Sequence, residues 1–186
     1  MTTVRAGITT ILTPIPTPTT DRPETRRPRP GRSNTDTTRI SDRMGHWGVK
    51  SYENDGAADA IDAGMERVHG GAYDALMDDR NPLGFDQAQQ RLASAETLAA
   101  AVESLREEVG PDVAWDDRDE EERLAFAGVV VRHAEFGVPV PAEWLDRAVA
   151  WLEGETIEWD EATVRRLRRQ NETHTLKAVP RQDPAG

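Results

Sequence analysis

The chain has 186 residues, no cysteine, 37% hydrophobic side chains and a formal charge of −11, a size that suits one folded domain with an appendage. No run of eighteen apolar residues occurs, so no segment can span a bilayer as a helix, and no thiolate metal site, disulfide framework or cysteine nucleophile can form. The charge is split unevenly: eight arginines against four acids leave +4 on residues 1–43, while 15 basic and 30 acidic side chains leave −15 on residues 44–186. A body of that sign repels polyanions, which argues against nucleic acid as a partner and favours a basic protein.

Residues 1–43 hold six of the twelve prolines, twelve threonines and none of the aromatic side chains. Such a composition cannot offset the roughly 1–2 kcal/mol of backbone entropy each residue loses on ordering, so a disordered tail is expected. Its apolar patch at 8–12 is followed by Pro14, Pro16 and Pro18, unlike the continuous apolar region of a signal peptide, and the lack of cysteine fits a reducing compartment, so the expected location is the cytoplasm. The stretch RRPRPGR at 26–32 has the character of a basic polyproline recognition segment, yet low-complexity composition reads more simply as a linker, or as an extension upstream of a natural start at Met44.

From residue 44 onward the apolar residues recur at helical spacing, which predicts a helical domain over 44–172. A first helix is expected over 56–68, with Asn54 or Asp55 as N-cap, Ala57, Ala58, Ile61, Met65 and Val68 as its buried stripe, and Gly70 and Gly71 ending it. A short helix follows at 72–79, stopped by Asn81 and Pro82, then a turn of helix at 86–93 and a clearer helix at 95–109 that Gly110 and Pro111 close. The helix at 119–136 leaves little polar face, the pattern of an element surrounded by others, and Gly137 sits where a left-handed cap is wanted. Pro141 opens a helix to about 153. The last helix is expected to start at Asp160, with Trp159 and Val164 forming a hydrophobic staple, and to fray from Thr173 into a polar tail over 173–186. Short helices joined by short turns imply an all-α domain of six or seven helices, packed as an antiparallel bundle or orthogonal array, with the five tryptophans supplying much of its core.

One motif stands out at 44–57, MGHWGVKSYENDGA, in which Gly45 and Gly48 flank Trp47 and Tyr52 precedes the Asn54–Asp55 cap. Read physically, this is an arm pinned onto the helical body by its aromatic residues and tied to the first helix by capping. The motif resembles the opening of the uncharacterised bacterial domain-of-unknown-function family 4259, M-G-x-W-G-x-x-x-F-x-N-D-x-A. Met44, Gly45, Trp47, Gly48, Asn54, Asp55 and Ala57 match and Tyr52 replaces the phenylalanine. The resemblance implies Met44 as the start and implies no activity, cofactor or catalytic residue.

Other chemistry-bearing groups have plainer readings. Six of the seven residues at 116–122 are acidic, and Glu53, Asp55, Asp59 and Asp62 gather near the first helix. Neither run has calcium-loop spacing, and acidic helix starts complement the macrodipole. His46, His69, His133 and His174 form no paired ligand motif, and His133 reads as a hydrogen-bonded core histidine. Arg165, Arg166, Arg168 and Arg169 make the last helix basic, which reads as dipole complementation rather than a nucleic-acid contact. No nucleophile elbow, phosphate loop or dinucleotide fingerprint is present, so no catalytic, metal or cofactor residue is assigned. The expected function is non-catalytic binding of a basic protein through an acidic body, with Gly45, Trp47, Gly48, Tyr52, Asn54 and Asp55 as the candidate motif. A metal-assisted hydrolase using the acidic clusters, and nucleic-acid binding through the arginine-rich ends, are the alternatives.

Overall fold

The computed structural model describes residues 46–78 and 82–181; the tail expected over 1–43, and Met44 and Gly45 of the motif, lie outside the described residues. Among those residues the chain forms seven α-helices: α1 Asp55–His69, α2 Gly71–Met77, α3 Phe85–Leu92, α4 Ala95–Val109, α5 Glu120–Glu135, α6 Ala142–Glu153 and α7 Ala162–Ala178. One 3-10 turn, Trp115–Asp117, precedes α5, and no strand occurs among the described residues.

Local chemistry sets the helix ends. Asn54 caps α1 through its side-chain oxygen, which accepts from the Ala57 N–H at 2.8 Å, and Gly70 ends it at φ 48°, a conformation glycine adopts without penalty. Ser94 and Thr97 form a capping box at the start of α4, each side chain bonding the other's backbone N–H. Asp119 caps α5. At its other end Val138 N bonds His133 O and Gly137 N bonds Ala134 O, the Schellman arrangement, with Gly137 at φ 80°.

Helix α5 is the centre of the core, as its apolar pattern requires: Phe126, Val129, Val130, Val131 and His133 are fully buried, and it packs on α1, α4, α6 and α7. The most extensive pairing joins α1 to α4, which are not sequence neighbours. Seven and eight residues long, α2 and α3 are too short to bury a full stripe. Gly64, by contrast, lets α1 approach α4 closely, since a Cβ there would lie 2.8 Å from Ala101 N. No helix of the described residues is long and apolar enough to cross a membrane.

Three expectations need correction. The tryptophans are not the core: Trp115, Trp144, Trp151 and Trp159 are half-buried around it, and Trp47 is 64% exposed. Aliphatic and small side chains fill most of the interior, with Phe126 and Met65 its largest apolar members. The boundary at Thr173 falls inside α7, which continues to Ala178 because Glu172, Thr173 and Leu176 are buried on one side of an otherwise polar helix. The staple does not hold the entry to α7. Its N-cap is Glu161, so Val164 falls at the third helical position and is exposed, and Trp159 instead stacks on His46 at 4.5 Å and under the Arg165 guanidinium at 4.8 Å.

A candidate interaction groove

The arm at 46–54 folds back on itself. His46 and Asn54 form an antiparallel bridge, and Trp47 N–H donates to Glu53 O at 3.2 Å. Gly48 is needed for space rather than for its dihedral freedom: a Cβ there would overlap the Glu53 side chain, whose carboxylate folds over the turn to accept from Lys50 N–H at 2.8 Å. The motif residues then separate by role. Tyr52 is the buried anchor, its hydroxyl donating to Glu135 at 2.9 Å and accepting from Lys50 Nζ. Asn54 is buried, caps α1 and donates to Ser51 O. Asp55 sits exposed in the first turn of α1, and Trp47 points outward, contrary to the expectation that its indole pins the arm.

What pins the arm is backbone on charge. Ser51 N–H donates to Glu172 Oε1 at 2.8 Å, and Arg165 Nη1 donates to Val49 O at 2.8 Å. The same guanidinium pairs with Glu155 and, at 3.1 Å, with Glu172, all three side chains being 2–3% exposed. Burial works to lower the pKa of Arg165, and the two carboxylates outweigh it, so the guanidinium is held above its usual range. Two acids share one cation, and burial pushes the Glu172 carboxyl up, with Arg165 and Ser51 offsetting only part of it. Beneath the arm the Ser51 carbonyl rests on Gly128 of α5, where a Cβ would lie 2.5 Å from Ser51 O and 2.9 Å from Tyr52 Cα.

Beside the arm lies an open groove of about 350 Å³. The arm contributes Trp47, Lys50, Tyr52 and Glu53; α1 contributes Ala58, Ile61 and Asp62; α3 contributes Phe85, Asp86 and Gln89; and α5 contributes Arg132. Its two largest exposed apolar side chains, Trp47 at 64% and Phe85 at 56%, come from elements far apart in sequence. The groove's cations are already engaged. Arg132 pairs with Asp86, donates to Gln89 and lies 4.7 Å from the Tyr52 ring and 4.3 Å from that of Phe136. Lys50 lies 3.5 Å from Glu135; burial works to lower its pKa, but Tyr52 and Glu135 outweigh it and leave it raised. Asp62 accepts from the Tyr73 hydroxyl and from Gln89 Nε2 at 3.1 Å.

The other flagged residues are dispersed. Within the acidic run at 116–122, Asp119 caps α5, Glu120 accepts from Thr156, and Arg118 is buried against the Leu105 carbonyl at 3.0 Å. Among the described residues no three His, Asp or Glu side chains converge as a metal ligand set. His133 Nδ1–H donates to Val129 O at 2.9 Å and Nε2 faces Thr97 Oγ1 at 3.3 Å, and burial holds its pKa down to about 4. Of the α7 arginines, Arg165 is in the core, which takes it out of the suspected basic face, and Arg169 donates to Glu155 O at 3.1 Å.

Phe85, Asp86, Gln89 and Arg132 were not singled out from sequence. The one available signal was Arg132 itself, a charge inside an apolar helix that requires a partner. No protein-family model, curated protein or solved structure matches the chain. The resemblance of the 44–57 motif to family 4259 rests on that motif alone.

Proposed function

We propose that this is a non-catalytic binding domain that takes a basic protein partner at the Trp47–Phe85 groove, and that it works in the cytoplasm. The observation that carries the reading is the meeting of two exposed aromatic side chains with Glu53, Asp62 and Asp86 in one groove, on a body whose residues 44–186 carry −15. Exposed aromatics gathered in a concave patch supply contact area at low entropic cost, and a negative surround speeds encounter with a cationic partner. The lack of cysteine supports a reducing compartment.

The test is cross-linked affinity capture from the native cell with the wild-type chain and with the double substitution Trp47→Ala, Phe85→Ala, at low and high salt. A basic partner recovered by the wild type, lost in the variant and weakened by salt is the expected result. Equal recovery by both proteins would locate binding elsewhere.

A further inference from the structure

We propose that the groove receives an arginine side chain of the partner, its guanidinium stacked on Trp47 and paired with the carboxylate of Glu53 or Asp86; this rests on the basic-partner reading above. The protein's own packing supplies the argument. Arg165 lies 4.8 Å from the Trp159 ring centroid while pairing with Glu155. Arg132 lies 4.7 Å from the Tyr52 ring while pairing with Asp86. Arg118 lies 4.1 Å from Trp115 while donating to the carbonyls of Leu105 and Gly110. Aromatic ring, guanidinium and acceptor thus recur as a unit.

At Trp47 two parts of that unit are present and the third is missing. The other tryptophans each lie on another ring: Trp159 on His46, Trp115 and Trp144 on Phe126, Trp151 on both Trp115 and Phe126. Among the described residues no ring and no cation lies on Trp47 or on Phe85. Carboxylates line the same groove as both rings: Glu53 accepts from Lys50 N–H through one oxygen, and Asp86, which follows Phe85, pairs with Arg132 while its side chain stays 77% exposed. Lys50 and Arg132 cannot complete the unit, being held by Tyr52 and Glu135 and by Asp86 and Gln89. Arginine is favoured over lysine because its planar, weakly hydrated guanidinium can stack on an indole and grip a carboxylate at once.

Fluorescence anisotropy with labelled nine-residue Gly-Ser peptides carrying three arginines, three lysines or three glutamates, titrated with the full chain at low and high salt, tests this. The arginine peptide should bind several-fold more tightly than the lysine one, with no binding of the glutamate one. Trp47→Ala should weaken arginine binding roughly five- to thirtyfold, the range of a partly desolvated cation–π contact. Asp86→Asn should reduce the salt dependence, and Leu167→Ala, an exposed site on α7, should change nothing. Arginine binding untouched by Trp47→Ala and Phe85→Ala would overturn the site while leaving a basic partner in place. Equal arginine and lysine affinities would overturn the stacking. Failure of both basic peptides, alongside a captured partner that depends on Trp47, would overturn the cationic ligand but not the groove.

Discussion

Replacing Arg165 with methionine keeps an unbranched apolar stem, two atoms shorter, and removes the charge from a site where all three members of the cluster are 2–3% exposed. Glu155 and Glu172 would be left buried without their shared cation, and the Val49 carbonyl would lose its donor. Breaking a buried pair by removing one partner costs roughly 3–5 kcal/mol, against about 0–1 kcal/mol for a surface pair. Burial therefore puts the expectation at the upper figure, a fall in melting temperature of roughly 10–15 °C for a domain of this size. Urea unfolding followed by circular dichroism gives the stability, and amide exchange at residues 49–52 reports whether the arm loosens with it. The comparison variant is Glu172→Gln, which keeps an acceptor for Ser51 N–H and should cost less than half as much. A loss below about 1 kcal/mol for Arg165→Met would refute the reasoning, since it would place the cluster in the regime of exposed pairs.

Gly128→Ala should destabilise by about 1–3 kcal/mol despite alanine's better helix propensity, because the added methyl meets the arm's backbone; Gly71→Ala, where no atom lies within 4 Å, should be neutral or stabilising, and paired denaturation curves separate the two. Leu176→Ala should cost about 2–5 kcal/mol, whereas a frayed terminus beyond Thr173 would make it silent in the same assay. His133 makes stability depend on pH: above 6.5 the ring is neutral in both states, and below it the unfolded chain takes a proton that the folded one refuses until about pH 4. Roughly 3 kcal/mol should therefore be lost as pH falls through that window. His133→Gln should flatten this part of the stability profile.

Helix positions were legible because they follow from periodicity and capping, both of which lie in adjacent residues: Asn54 and Gly137 each act within four positions of themselves, and the caps at Ser94 and Asp119, equally local, were not read. The end of α7 was not, because Glu172 and Leu176 are spaced for burial but surrounded by residues that read as polar surface. Its partners, Arg165 two turns earlier and the arm far away in sequence, give Glu172 its reason to be buried. The same limit applies to the groove. Trp47 and Tyr52 were visible as a motif, but which of them faces water depends on Gly128 and Arg132 of α5, and Phe85 joins them only through the placement of α3.

The seating of the Ser51 carbonyl on bare α5 backbone leaves no compliant layer between the surface and the interior. Variation at Gly128 that shifts the arm should therefore change recognition and melting together, whereas variation at the exposed Trp47 should change recognition alone.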